Sequence, residues 1–207
     1  MSILDEDNSF VYSILKAMTI EQIKQVITGG EWISIVPEVR PSLSRNDDGS
    51  AKPFYLSRRF TYQADDTFTL EIINFADAYG KVPLARLFIK GHVQWQGDHP
   101  IADGAQKVDF TADGAYEVTP LHPGFVAVLN QFASSGFNAW EVNSTQSILG
   151  KAFTPFGLAE GQIFKEYDLM YVLNGMLFWG ARHVDGRGFD TEENRPTNLQ
   201  IPMVRPY

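Results

Sequence analysis

Cysteine is missing from this sequence of 207 residues. Without thiols the chain can form no disulfide bond and can supply no thiolate nucleophile. Zinc sites built from cysteine are excluded for the same reason. A chain of this length needs no such cross-link, because folding can bury about 70% of its extended surface.

Basic residues and long apolar runs are also scarce. Lys and Arg number 17 against 25 Asp and Glu, which gives a formal net charge of -8. A nucleic-acid-binding surface needs clustered Lys and Arg, so nucleic acid is not an expected partner. No stretch approaches the roughly 18 consecutive apolar residues of a transmembrane helix. The first ten residues, MSILDEDNSF, are acidic and lack the features of a secretory signal, so we expect a cytoplasmic protein.

The familiar catalytic and metal-binding motifs are absent as well. The sequence contains no phosphate-binding loop, no GxSxG nucleophile motif and no HExxH zinc motif. Its four histidines are scattered, and the acidic loop around His183 and Asp185 is of a kind that is usually only solvated. We therefore expect no metal and no cofactor.

The N-terminal part of the chain has helical periodicity. The pattern covers residues about 9 to 28, with Thr19 as a candidate N-cap in its second half. Gly29 and Gly30 end it. We assign residues 1–29 to an N-terminal helical segment that packs on the rest of the chain.

A second helix is predicted in the middle of the sequence. The segment HPGFVAVLNQFASSG has Pro123 near its start and Gly136 after its apolar stripe. This pattern predicts a helix near residues 123–134.

The sequence after Gly30 alternates between short period-2 segments and turn residues, and the predicted turns include Asp113–Gly114 and Asn174–Gly175. In LARLFIKGHVQWQ, the apolar Leu87, Ile89 and Val93 share one face of a predicted strand, and the other face is mostly polar. The proline-containing C-terminal tail predicts an edge strand. The other predicted strands are FYLSRRFTYQ, TFTLEIINF, KVDFT, YEVTP, AWEVNSTQSI, YDLMYV and MLFWGARHV.

These strands predict a mainly β fold. The short connections favour antiparallel hairpins, and closure of the sheet would remove its exposed edges. We expect residues 30–207 to form a closed or nearly closed antiparallel barrel of the lipocalin or calycin type, with an N-terminal helix and one inserted helix. An eight-stranded barrel has room for its own core side chains or for one small ligand.

The segment GEWISIVPEVRPS places an acid and a base on the tryptophan side of a predicted strand. Buried charges are tolerated only when they are paired, and Arg58 or Arg59 of the next strand can supply a partner for Glu38. Three interpretations remain open: an internal ion-pair network that fixes the barrel, the polar end of a ligand pocket, or a different register that leaves these groups in water. On one continuous strand the shared face carries Trp32, Ser34, Val36, Glu38 and Arg40.

Short motifs follow one another from about residue 30 to residue 204. They are Gly30-Glu31-Trp32 with Ser34, Glu38-Val39-Arg40-Pro41, Leu56-Ser57-Arg58 with Phe60, Val118-Thr119-Pro120, Leu129-Asn130 with Phe132, Trp140 with Val142 and Gln146, Glu166-Tyr167, and Gln200 with Pro202 and Val204. In this order they resemble the barrel domain of the Wnt-inhibitor family called adenomatosis polyposis coli down-regulated. The resemblance implies a calycin-type barrel that binds lipid or another apolar ligand, and it supplies no catalytic residues. That family is secreted, membrane-anchored and cysteine-rich, so Wnt inhibition is not carried over to this cysteine-free chain.

The sequence therefore predicts binding of a small hydrophobic molecule with a polar or anionic head. Arg40 and Arg58 are expected to meet the head, because guanidinium groups make bidentate contacts with carboxylates and phosphates. The full set of predicted ligand-binding residues is Trp32, Glu38, Arg40, Arg58, Trp95, Trp140, Gln146 and Trp179.

Two other functions stay open. One is a cofactor-free enzyme, a lyase, cyclase or isomerase acting on a small metabolite in the same cavity, with Glu38 as general acid or base. The other is an interaction module whose barrel is packed solid. The expected partner is a small apolar or amphipathic molecule, and a homodimer is left open.

Overall fold

The computed structural model of the chain describes residues 17–132 and 136–206. Within these residues the structure is mainly antiparallel β-sheet with two α-helices, as the sequence predicts. The helices are α1 (Ile20–Ile27) and α2 (Pro123–Phe132). The strands are β1 (Glu31–Ser34), β2 (Glu38–Arg45), β3 (Ala51–Tyr62), β4 (Thr67–Phe75), β5 (Pro83–Asp98), β6 (Gln106–Pro120), β7 (Gln146–Ser147), β8 (Lys165–Leu173), β9 (Met176–Trp179) and β10 (Met203–Val204).

The N-terminal helix begins at the predicted cap. The Thr19 side chain accepts a hydrogen bond from the backbone N–H of Gln22, and the Gln22 side chain accepts one from the backbone N–H of Thr19. This reciprocal capping box satisfies two otherwise free donors. Ile23 and Ile27 are fully buried and attach α1 to the core. The first part of the predicted helix, residues 9–16, lies outside the described residues.

Eight strands are hydrogen-bonded into a ring. The order around it is β1, β3, β4, β5, β6, β8, β9 and β10, and β10 pairs back onto β1. Every one of these pairings is antiparallel. β2 continues along β3 beyond the end of β1, and the short β7 pairs with β6. The ring encloses an interior in which side chains from distant parts of the sequence meet.

The opening strand is interrupted, which corrects the prediction of one continuous strand. β1 ends at Ser34 and β2 begins at Glu38, so Val36 lies in the break and is 56% exposed. Trp32, Glu38 and Arg40 are nevertheless all buried. These side chains, before and after the break, therefore still point into the ring.

An aromatic cluster fills part of the ring interior. Along β3, the buried side chains alternate with more exposed ones, which directs Phe60 inward. Its ring centroid lies 4.8 Å from that of Trp179, and Phe110 lies 4.6 Å from Trp179. Phe68 lies 5.3 Å from Phe110 and completes the cluster.

The predicted turn at Asp113 and Gly114 is wrong. KVDFT and YEVTP belong to one strand, β6, which runs through both residues. The pairing of β5 with β6 shifts register beside His92, opposite this point, so the sequence marks a bulge and not a hairpin turn. A Cβ atom at Gly91 would lie 1.7 Å from the carbonyl oxygen of Thr111, and glycine permits this close approach.

The predicted strand AWEVNSTQSI is also mostly irregular. Only Gln146–Ser147 is paired as a strand, and the Asn130 side chain holds the backbone of Trp140 from both sides. Asn130 accepts a hydrogen bond from the Trp140 N–H at 2.8 Å and donates one to the Trp140 carbonyl at 3.0 Å. Asn143 then adopts a positive φ of 64°, which turns the chain.

The C-terminal strand is not at an edge, contrary to the prediction. β10 lies between β1 and β9 and closes the ring. Pro202 and Pro206 are tolerated because they flank the two paired residues, Met203 and Val204. Among the described residues, no helix has both the length and the apolar character needed to cross a membrane.

Candidate functional site

A cavity of about 730 Å³ occupies the part of the ring interior beyond the aromatic cluster. Part of its wall is the solvent-exposed side chain of Leu43, so the cavity opens to the surface. Most of the wall is apolar and includes Leu56, Leu70, Ile72, Leu87, Phe164 and Trp179. Its charged side chains include Arg40, Arg58, Glu166, Asp168, Arg182 and Asp190.

Glu38, Arg40 and Arg58 form a buried ion cluster, here called the Glu38 cluster. Arg40 donates from Nε and Nη2 to Glu38 Oε2, at 3.0 and 2.9 Å. Arg58 donates from Nε to Glu38 Oε1 at 2.5 Å. Ser34 donates to the same oxygen at 3.2 Å and accepts from the Arg58 backbone N–H at 2.9 Å. Strand alternation produces this meeting, because Glu38 pairs across with Leu56 and the next inward residue of β3 is Arg58.

The electrostatics of the Glu38 cluster keep its carboxylate ionised. Burial alone would raise the pKa of Glu38, but the positive charges of Arg58 and Arg40 outweigh burial and lower that pKa below its ordinary value. A carboxylate of this kind is a poor general acid at neutral pH. The ionised Glu38 therefore orients the side chains of the two arginines.

Arg58 has donors that the described part of the chain does not use. Its Nη1 and Nη2 atoms are buried and have no hydrogen-bond partner among the described residues. The guanidinium carbon lies 4.4 Å from the ring centroid of Trp179, in a cation–π contact. The indole Nε1 of Trp179 is also buried without a described partner. Buried donors normally find partners, so these groups mark a place where a ligand can bind.

Two carboxyl groups of β8 face the same cavity, and neither was predicted from the sequence. Asp168 is 1% exposed, and its Oδ1 accepts from the backbone N–H groups of Leu169 and Gly180, at 2.7 and 2.9 Å. Glu166 is two residues earlier and only partly buried. Within the described residues, neither carboxyl group has an ion-pair partner within 4.0 Å.

The surroundings of this pair favour its protonated form. Burial, together with the negative charge of Glu166, raises the pKa of Asp168 to about 7. Burial also raises the pKa of Glu166, against the opposing charges of Arg40 and Arg58. The signal in the sequence is the spacing in KEYDLMYV, which puts both acids in phase with the buried Met170.

Arg182 is the third arginine of the cavity and was likewise missed. It follows β9 and donates from Nε to the carbonyl of Gly186 at 2.9 Å. Its guanidinium carbon lies 5.5 Å from the ring centroid of Phe54. Its position depends on the loop after β9, which no local pattern in the sequence describes.

Of the eight predicted ligand-binding residues, four belong to this site. Arg40, Arg58 and Trp179 line the cavity, and Glu38 supports the two arginines from behind. The structure does not bring the other four into the cavity wall.

Trp32 and Trp95 lie near α1. Trp32 Nε1 donates to the carbonyl of Ile27 at 3.1 Å, which links the start of β1 to the helix. Trp95 Nε1 donates to Asp66 at 3.0 Å, and Asp66 also forms an ion pair with Lys24 of α1 at 2.9 Å. Both tryptophans therefore help to hold the helix against the ring.

Trp140 and Gln146 hold the segment after α2. The Trp140 ring packs at 5.5 Å from that of Phe137 and at 5.8 Å from that of Phe153. Gln146 exchanges two hydrogen bonds with the backbone of Asn138, at 3.0 and 3.1 Å. These contacts order an irregular segment outside the cavity wall.

No three His, Asp or Glu side chains of the described residues are grouped closely enough to hold a metal ion. A comparison of the chain with models of known protein families finds no match.

Proposed function

We propose that the chain is a lipocalin-like barrel that binds a small hydrophobic molecule with an anionic head. The observation that carries this proposal is the pair of buried Nη atoms of Arg58, which have no hydrogen-bond partner in the described part of the chain and lie beside a mostly apolar cavity. An anionic oxygen placed there would accept charge-assisted hydrogen bonds from donors that have no acceptor among the described residues.

The size and lining of the cavity support a ligand of this kind. Small-molecule sites commonly span about 300–1,000 Å³ and combine apolar walls with a few polar groups that fix orientation. The cavity has about 730 Å³, with Leu70, Ile72 and Leu87 in its apolar wall. An aliphatic or aromatic tail would lie against this wall while the head meets Arg40 and Arg58.

The family resemblance supports the same proposal. Its second and third motifs include Glu38, Arg40 and Arg58, the residues that meet at the cavity. The proposed relationship to the Wnt-inhibitor barrel domain concerns the barrel and its cavity only. The cytoplasmic location and the absence of nucleic acid as a partner stay predictions, and the homodimer stays open.

The test is a titration of the purified chain with decanoate and with an aromatic carboxylate, followed by calorimetry and by tryptophan fluorescence. Arg58→Lys keeps the charge but removes the planar fork of donors. We expect affinity for the anionic ligand to fall roughly ten- to over a hundredfold, since one charge-assisted contact contributes about 1.5–3 kcal/mol.

The neighbouring arginine provides a matched control. Arg59 lies on the outer side of β3, and its side chain is 54% exposed, so Arg59→Lys should leave affinity unchanged. If neither ligand binds to the wild-type chain, or if Arg58→Lys binds as tightly as the wild type, the proposal is wrong. Mass spectrometry of a denaturing extract would show which ligand co-purifies.

The enzymatic alternative is favoured by one observation. Asp168, with its pKa raised to about 7, is better suited than Glu38 to exchange a proton with a bound metabolite. A cofactor-free lyase, cyclase or isomerase would use it in the same cavity. Chemical change of a titrated ligand, followed by NMR in the experiment above and lost in Asp168→Asn, would establish this alternative.

A further inference from the structure

The charges around the cavity pose a problem for an anionic ligand. Three guanidinium groups, those of Arg40, Arg58 and Arg182, face or line it. Three carboxyl groups oppose them: Glu38 behind the arginines, and Glu166 and Asp168 in the wall. With all six ionised their formal charges cancel, and the charges of Lys165 and Asp190, which also line the cavity, cancel each other. The formal charge around the cavity therefore gives a bound anion no net attraction.

We propose that the cavity binds its anionic ligand together with about one proton, which the Glu166–Asp168 carboxyl pair takes up. This inference rests on the proposed function, because it describes how that same site accepts an anion. Its ligand class is accordingly an organic acid, bound as the anion plus a proton.

The position of the pair fits this role. Glu166 and Asp168 are alternate residues of β8, so both side chains lie on the inner face of the ring. Asp168 Oδ1 is held by two backbone N–H groups, and Oδ2 has no hydrogen-bond partner among the described residues. A Cβ atom at Gly180 would lie 2.4 Å from Asp168 Oδ1, so glycine is required for this close packing.

Neither Glu38 nor Arg58 can hold the proton in place of the pair. Glu38 accepts from both arginines, and its pKa is lowered by their charges although burial opposes this. Arg58 remains a cation at every pH used here, since guanidinium groups do not deprotonate in proteins. Burial and the charge of Glu166 raise the pKa of Asp168 to about 7, so this part of the cavity wall can take up a proton near neutral pH.

Other charged or titratable groups face the pair from the packed elements. Tyr116 of β6 lines the cavity, and burial raises its pKa, so it stays neutral. Arg195 donates to the backbone carbonyl of Asp168 at 2.6 Å, and its charge is paired with Asp109. Lys165 and Asp190 also belong to the cavity wall; Lys165 forms an ion pair with Asp109 at 3.1 Å, and Asp190 is exposed.

The experiment is calorimetric titration with decanesulfonate, an anion at every pH between 5 and 9. For uptake of one proton, affinity should be nearly constant below about pH 6 and should fall by up to about tenfold per pH unit above pH 7. At pH 8, titrations in triethanolamine and in Tris, two cationic buffers with different heats of ionisation, should differ in heat by the amount expected for uptake of about one proton. Decanol, which carries no charge, should bind without this pH dependence.

Two kinds of variant identify the group that takes up the proton. Asp168→Asn keeps the Oδ1 acceptor and cannot ionise, so its affinity for decanesulfonate should stay high at pH 8 and lose most of its pH dependence. Glu166→Gln tests the other member of the pair. Asp47→Asn is the control, because it makes the same change at an exposed aspartate outside the cavity wall and should leave the pH dependence intact.

The outcomes separate this inference from the function on which it rests. Binding of decanesulfonate with no pH dependence, or a pH dependence that survives in both Asp168→Asn and Glu166→Gln, would overturn proton uptake and leave anion binding standing. Failure of decanesulfonate and of decanoate to bind at any pH would overturn both.

Discussion

Two buried clusters each hold an arginine against a carboxylate. The Glu38 cluster lies inside the ring, and the second lies on the outer face of the ring. The second, here called the Asp109 cluster, consists of Asp109, Arg195 and Lys165. Arg195 Nη2 donates to Asp109 at 2.8 Å, and Lys165 lies 3.1 Å from the other carboxylate oxygen. Asp109 alternates along β6 with Val108 and Phe110, which belong to the core, so it points away from the ring interior.

The two clusters differ in how many arginine donors are satisfied. Arg195 also donates from Nη1 to the carbonyls of Val108 and Asp168, at 2.9 and 2.6 Å, which leaves only its Nε without a described partner. Arg58 uses only its Nε, and both of its Nη atoms lack a described partner. The Asp109 cluster therefore fastens the segment around Arg195 to β6 and β8. The Glu38 cluster holds its donors in place beside a cavity, as a binding site requires.

Truncation of the two central carboxylates should show this difference most strongly. Glu38→Ala leaves two buried guanidinium groups unpaired, and we expect it to lower the free energy of unfolding by about 3–5 kcal/mol. Asp109→Ala should cost about 1.5–3 kcal/mol, because Arg195 keeps its carbonyl acceptors and the 34%-exposed Lys165 can turn to solvent. Urea unfolding of both variants measures the two losses.

A conservative variant controls for the loss of side-chain volume in this comparison. Glu38→Gln keeps the shape but not the charge, so a cost close to that of Glu38→Ala would assign the effect to the ion pairs. If Asp109→Ala destabilises the chain more than Glu38→Ala does, our account of the two clusters is wrong.

The Glu166–Asp168 carboxyl pair should make the fold less stable at high pH. An acid whose folded pKa is raised contributes stability that is present below its unfolded pKa and lost as pH rises through its folded pKa. For Asp168 that window runs from about 4 to about 7. Relative to the wild type, Asp168→Asn should therefore gain on the order of 2–4 kcal/mol between pH 4.5 and pH 8. Urea unfolding at the two pH values checks this, and an equal difference at both would contradict it.

Local alternation predicted the part of the site that lies on neighbouring strands. Glu38 and Arg40 are two residues apart on β2, and Arg58 lies on the adjacent β3, so a period of two was sufficient to bring them together. The capping box at Thr19 and the Asn174–Gly175 hairpin turn are equally local, and both were predicted. In these places the residues that carry the sequence signal also form the contact, and they are only a few positions apart or on adjacent strands.

The rest of the site depends on which distant strands meet across the ring. Asp168 approaches the arginines because β8 pairs with β6 and β9 and curves round to face β3. The sequence around Asp168 contains no pattern that predicts its approach to the arginines, and the sequence around Arg182 contains none for the position of Arg182. Trp140 does not line the cavity for a related reason, since its two backbone hydrogen bonds with the Asn130 side chain fix it in an irregular segment. Tertiary contacts of this kind override local propensity.

The smallest effect should come from the outer face of β3, one residue away from the cavity. Arg59 lies 2.6 Å from Glu31 and 4.0 Å from Glu71, but more than half of its side chain is exposed. Exposed ion pairs contribute little, because water screens the charges and two long side chains lose mobility when they pair. Arg59→Ala should therefore lower the free energy of unfolding by less than about 1 kcal/mol, and added salt should shrink the difference further. Urea unfolding at low and at high salt measures it, and a loss comparable with that of Glu38→Ala would mean that burial is not what separates the two faces of the strand.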